Sequence, residues 1–154
     1  MKKLFQIGVI GVLSLGIGMT ALADGKNPSK MDAIEYRQAV FEVIVWNFRP
    51  LGAMVKGKIP FEAKVFAEKA ANVAFLSKMP LEGFVPGTDK GDTDAKANIW
   101  DNWEDFKSKM TSLQEETAKL AEVAKTATKV EEVKEQFGKT VKVCKGCHED
   151  YKAD

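Results

Sequence analysis

Histidine is nearly missing from this chain: His148 is the only one among 154 residues. Cysteine is almost as scarce, with Cys144 and Cys147 alone. One histidine and two cysteines give a zinc site three ligands at most, with no fourth in sight. Charge of one sign is also lacking, since 23 basic residues face 22 acidic ones. That balance argues against nucleic acid as a partner, and no basic stripe is present to hold a membrane surface. Nothing in the chain alternates apolar and polar residues as a strand does. Beyond Met19 there is no apolar run long enough to cross a membrane. No acid–base or nucleophilic constellation stands out, and the chain does not read as an enzyme.

What apolar run there is sits at the start. Met1-Lys2-Lys3 is a short positive segment, Leu4 to Met19 carries no charge, and Ala21-Leu22-Ala23 offers a small-x-small cleavage pattern. We read residues 1–23 as a cleaved secretory signal peptide rather than a retained anchor. The run is short for a span, contains Gly8, Gly11, Gly16 and Gly18, and ends without a basic stop. Residues 24–154 then form one domain, with 21 basic against 22 acidic residues once Lys2 and Lys3 are removed. Export predicts a periplasmic protein with no membrane attachment after cleavage.

Both cysteines and the histidine fall in one stretch near the C-terminus, Cys144-Lys145-Gly146-Cys147-His148. Cys-x-x-Cys-His is the attachment signature of c-type haem. Each thiol forms a thioether with a haem vinyl group, and the adjacent imidazole ligates the iron. On a helix, positions 144, 147, 148 and 151 stand at i, i+3, i+4 and i+7, so both sulfurs, the imidazole and Tyr151 share one face. A disulfide is the competing reading for two cysteines in an exported chain. A thioredoxin-like site, however, places its cysteines beside a strand–helix junction, and no strand pattern exists here. Thioether attachment takes place outside the bacterial cytoplasm, which agrees with the signal peptide. The prediction is one covalent haem c per chain, held by Cys144 and Cys147, with His148 as the iron ligand.

The rest of the domain reads as helices. Ser29 and Asp32 resemble a capping box, and Ile34, Phe41, Ile44, Val45, Phe48 and Leu51 keep helical spacing. This first helix should kink at Pro50 and close at about Lys56, before Gly57. Pro60 is placed to open a second helix that runs to about Lys78. Residues 79–94 hold Pro80, Gly83, Pro86, Gly87 and Gly91 and read as a long loop. Ile99, Phe106, Leu113, Leu120 and Ala127 recur every seven residues, with Trp103, Met110, Thr117 and Ala124 on the second seam. Thr128 and Glu131 form a capping box for the last helix, whose buried face is Val130, Val133, Phe137, Val141, Cys144, His148 and Tyr151. The fold class is therefore all-α: an antiparallel up-down-up-down four-helix bundle with haem near the C-terminal end of the last helix.

In that topology His148 is level with the start of the first helix, the end of the second and the start of the third. The pocket is predicted to draw on residues 31–41, 75–79 and 99–106, where Trp100 and Trp103 lie. The long loop should close over the haem edge. A single histidine excludes bis-histidine ligation within one chain, and methionine is the other usual axial partner. Met54 and Met110 are expected at the wrong height, which leaves Met31 and Met79. The competing reading is an apolar side chain over a five-coordinate iron, since bundle methionines are more often core filler than ligands.

Several pieces together resemble a known family. They are Tyr36-Arg37-Gln38, Val55-Lys56-Gly57, Phe84-Val85-Pro86-Gly87-Thr88, Ile99-Trp100 and the stretch from Cys144 to Tyr151. The pattern is similar to cytochrome c′ over essentially the whole mature chain. The resemblance implies that His148 is the only axial ligand of a high-spin iron, with Phe41, four positions after Arg37, on the distal side. It implies that Arg37 and Gln38 contact the haem propionates. It sets Lys152 at a position often held by arginine beside the proximal face. It also implies binding of nitric oxide and carbon monoxide with discrimination against dioxygen, and homodimers formed through the first two helices. Two functions follow as expectations: nitric oxide sequestration, and electron transfer with redox partner proteins. A low-spin His/Met electron-transfer cytochrome of the same bundle type is the alternative.

Overall fold

The computed structural model describes residues 30–153; the expected signal peptide and the cap at Ser29 lie outside them. Four long helices dominate: α1 (Lys30–Val55), α2 (Ala63–Leu76), α4 (Trp103–Ala124) and α5 (Glu131–Tyr151). A short 3₁₀ turn, Pro80–Gly83, and a one-turn helix α3 (Asn98–Asp101) lie in the connection between α2 and α4. No described helix is long and apolar enough to cross a membrane.

Local chemistry explains the boundaries. α1 runs through Pro50 and ends at a glycine cap. Gly57 has φ 67°, which only glycine adopts cheaply, and its N–H donates to the Met54 carbonyl while the Lys58 N–H reaches Ala53. The second helix opens later than Pro60 predicts. Glu62 is extended at its N-cap, and Phe61 just before it packs on Phe66, with ring centroids 5.4 Å apart. This hydrophobic staple, rather than proline, fixes the start of α2.

The third helix is not continuous from Ile99. Asn102, at φ −118° and ψ 40°, separates α3 from α4. The cap of α5 also differs from the expected Thr128–Glu131 box. It is Glu132 Oε2 that accepts from the N–H groups of Thr128 (2.6 Å) and Lys129 (3.1 Å). These hydrogen bonds hold the Glu132 carboxyl below its usual range.

The helices pack as a ring, α1 on α2, α2 on α4 and α4 on α5, with α1 and α5 touching least. Cross-links give the antiparallel register: Asn47 to Asn72, Ser77 to Thr117, and Tyr151 to Asp105. One core cluster fills the end away from the Cys-x-x-Cys-His stretch, built on Leu51, Met54, Phe66, Leu120, Val133 and Phe137. A second, of Phe84, Ile99, Phe106, Met110 and Tyr151, fills the opposite end, with Cys147 packed against it. Burial of these apolar faces is what holds short-looped helices together in a bundle.

The buried face of α5 is rotated slightly from the expectation. Thr140 is buried where Val141 was expected, and Val141 is 40% exposed. Val133, Phe137, Thr140 and Tyr151 are the residues sealed inside.

Candidate haem-binding site

The weak α1–α5 seam opens into a cavity of about 870 Å³, within the range of small-molecule and cofactor sites. Cys144, Cys147 and His148 all line it from α5, as their helical spacing predicts. Arg37, Gln38 and Phe41 line it from α1, and Asp92 to Ala95 of the loop stand at its edge. A second hollow of about 450 Å³ adjoins it along α5 and shares Val141, Cys144, His148 and Lys152 with it.

The two thiols are not joined as a disulfide. Burial pushes both up from the usual thiol range, Cys147 to about 11, so they stand as neutral thiols at neutral pH. Burial also lowers the basicity of His148, and the nearby Lys152 ammonium adds to the effect. A neutral imidazole is the form that can ligate a metal. No group of three or more His, Cys, Asp or Glu among the described residues could hold a metal ion by itself. Two neutral thiols and an imidazole on one wall of an apolar cavity fit a covalently attached haem; they do not assemble a zinc site.

Phe41 is half-buried on the cavity wall and meets Phe84, which lines the same cavity, edge to face at 6.4 Å. Ile44, Val73, Met110 and Leu113 continue the apolar wall. Arg37 is almost fully buried, at 2% exposure. Its Nη1 donates to the Gly83 carbonyl (3.1 Å) and Thr88 Oγ1 (2.6 Å), and its Nη2 to the Thr88 carbonyl and Thr93 Oγ1 (both 2.7 Å). The guanidinium also lies 4.7 Å from the Phe84 ring centroid. Gln38 donates to the Asp92 carbonyl at 2.8 Å. Both residues therefore hold the long loop against α1. Lys152 pairs with Asp94 at 2.9 Å.

The structure corrects the expected pocket in two places. Phe75 points away from it and is 67% exposed, Met79 packs against the cluster of Val40, Ile44 and Val73, and Val73 supplies the α2 wall instead. Met110 is not at the wrong height. It is buried in the cluster that meets Cys147, and it lines the cavity with Leu113 and Thr117. The reason is register: Lys109 pairs with Asp150 at 2.9 Å, so the middle of α4, not only its start, stands level with the motif. Ile99 and Phe106 line the cavity as expected, whereas Trp100 and Trp103 pack behind it. Trp100 Nε1 is buried and has no hydrogen-bond partner within the protein. Thr117, placed by sequence on the second heptad seam but not at the site, and Thr140, which the expected face of α5 left out, are both fully buried on the cavity wall.

Residues 32–152 match the family model described as Cytochrome C′. A cytochrome c′ from Halomonas halodenitrificans is 40% identical over 128 residues, covering 80% of this chain and 97% of that protein. The solved cytochrome c prime from Shewanella frigidimarina is 53% identical with TM-score 0.80, covering 84% of this chain and all of that one. A nitric oxide complex of a variant of the Alcaligenes xylosoxidans protein is 29% identical with TM-score 0.76, over 84% of this chain and 99% of that one. The cofactor that belongs with this family, and with Cys144, Cys147 and His148, is covalent haem c. Bundle, motif and likeness along the whole described length agree that the chain belongs to the cytochrome c′ family.

Proposed function

We propose that the protein is a periplasmic haem c protein whose five-coordinate, high-spin iron binds nitric oxide and carbon monoxide. The observation that carries this reading is the cavity wall facing His148: it is apolar, with Phe41 presented to it from α1. Haem bound here supplies an iron with one open coordination position. His148 would hold the iron from α5, Cys144 and Cys147 would fix the ring to the same helix, and Phe41 would stand on the distal side. With Phe41, Ile44, Val73, Met110 and Leu113 about a distal ligand, bound dioxygen would gain little from a hydrogen-bond donor and would be disfavoured against nitric oxide and carbon monoxide. Phe41 must yield to any distal ligand, which lowers affinity and slows binding. The nitric oxide complex of the Alcaligenes xylosoxidans variant supports gas binding by this bundle.

Around the ring edge, Arg37 keeps its Nε–H as the donor not used by the loop, and with Gln38 it is the candidate partner for the propionates. Lys152 borders the outer hollow beside His148 and is the candidate proximal cation. Its pairing with Asp94 leaves the charge half engaged on the loop. The protein is read as a binding and electron-carrying protein, not an enzyme.

Pairing of two copies through α1 and α2 is supported by Trp46, Phe75 and Val43, which are 76%, 67% and 46% exposed. Isolated apolar side chains are common on surfaces, but a large indole and a phenyl ring on adjoining helices favour an interface. Sedimentation of the holoprotein checks it: a dimer is expected, and a Trp46→Lys variant should sediment as a monomer.

The absorption spectrum of the pure protein tests the ligation. High-spin spectra are expected in both oxidation states, and low-spin spectra in both would end the five-coordinate reading. The second reading, a low-spin His/Met electron carrier, is favoured by one observation: Met110 lines the same cavity. Met110→Leu conserves volume and should leave the spectrum unchanged if the iron is five-coordinate. Growth of a deletion strain under nitric oxide stress separates gas sequestration from electron transfer.

A further inference from the structure

The long loop places a second aromatic ring beside Phe41 on the cavity wall, and that ring is held from several directions. Phe84 follows the 3₁₀ turn Pro80–Gly83 and is only 8% exposed. Its ring meets Phe41 edge to face at 6.4 Å and Phe106 at 4.6 Å. The Arg37 guanidinium lies over the same ring, 4.7 Å from its centroid. Four hydrogen bonds from Arg37 to Gly83, Thr88 and Thr93 keep that guanidinium from moving. The turn itself has no slack: a Cβ on Gly83 would lie 2.8 Å from Arg37 Cβ and 3.0 Å from the Ala33 carbonyl oxygen.

We propose that Phe84, clamped by Arg37, is the backstop that sets how far Phe41 can retreat from the iron, and is thereby a specificity-determining positioning residue for distal ligands. The inference rests on the reading of Phe41 as the distal residue. A ring that yields to an incoming diatomic must go somewhere. Phe41 and Phe84 both line the cavity and meet edge to face, so movement of Phe41 toward the loop runs into a ring that itself packs on a fixed cation. Protein interiors resist such displacement because packed side chains have no free volume to give. α1 therefore contributes both members of the gate, since Phe41 and Arg37 stand at i and i−4 on the same helical face, with Phe84 inserted from the loop.

The test is a double-mutant cycle read by carbon monoxide association to the ferrous holoprotein. Phe84→Leu removes the backing edge and should speed association by about three- to tenfold, the range that one aromatic pair supports. In a Phe41→Ala background the same change should have no further effect. Thr88→Val, which removes one acceptor of the Arg37 fork without touching a ring, should speed association in the same direction by about twofold. It serves where Phe84→Leu fails to fold. Acceleration by Phe41→Ala but not by Phe84→Leu or Thr88→Val overturns the backstop and leaves the distal role of Phe41 intact. Equal acceleration by Phe84→Leu in both backgrounds also overturns it, because the effect would then bypass Phe41. No acceleration by Phe41→Ala removes the distal reading, and the backstop with it.

Discussion

Lys152 Nζ lies 2.9 Å from Asp94 Oδ2, and the backbone of Lys152 forms an antiparallel bridge with Ala95. The residues just past the haem-attachment helix are thereby tied to the loop that α1 holds on its other side. The Ala153 N–H donates to the Asp94 carbonyl at 2.8 Å, and the Lys96 N–H to the Tyr151 carbonyl at 3.1 Å. The ion pair is largely exposed, so Asp94→Asn should cost only about 0–1 kcal/mol. Truncation after Tyr151 should cost more, about 1–2 kcal/mol, because backbone hydrogen bonds go with it. Urea denaturation of both variants, with amide exchange at residues 94–96, checks the order.

Phe41→Ala should speed carbon monoxide association by at least about tenfold, equivalent to about 1.4 kcal/mol off the barrier. The substitution removes the ring that a distal ligand has to displace. Flash photolysis of the ferrous complex gives the rate directly, and unchanged kinetics would take Phe41 out of the distal role.

Gly83→Ala should destabilise the protein by about 1–3 kcal/mol, the usual cost of overpacking. The added methyl group meets Arg37 Cβ and the Ala33 carbonyl, and neither is the free end of a flexible side chain. Thermal melting of the variant checks this, and loss of the Arg37 clamp should appear as faster exchange of the Thr88 amide.

Both tyrosines are held neutral well above their ordinary range. Tyr36 is pushed up to about 12 first by its hydrogen bond to Glu82, and Tyr151 to about 12 first by burial and then by its hydrogen bond to Asp105. The folded pKa values lie above the unfolded value near 10, so the neutral phenols stabilise the fold fully below about pH 10. That contribution is lost as pH rises through about 12. Ultraviolet difference titration should show tyrosinate forming near the upper value, and Tyr36→Phe should flatten the loss of stability across this window.

The sequence by itself determined the chemistry and the class. Cys144, Cys147 and His148 carry their message in spacing alone, because a helix turns a three- or four-residue separation into a shared face. The heptad seam through Phe106, Met110, Thr117, Leu120 and Ala124 likewise announced a buried helical face, and all five are buried. Gly57 announced the end of α1 through the one backbone conformation that glycine adopts cheaply.

Only the tertiary structure decided what stands opposite what. Helix height cannot be read from a single strand of sequence, since it depends on where Asn102 breaks the third helix and how Lys109 meets Asp150 across the α4–α5 interface. That register brought Met110 into the cavity, and a counted-out bundle did not foresee it. Arg37 shows the same limit. The resemblance assigned it to the haem propionates, and nothing in the sequence foretold that the folded loop also supplies carbonyl and hydroxyl oxygens that occupy four of its donors. A long-range hydrogen bond joins residues some fifty positions apart, and no local pattern records it. Spacing along one helix is a local property and survives in the sequence; the faces of two different elements meet only after the chain has folded.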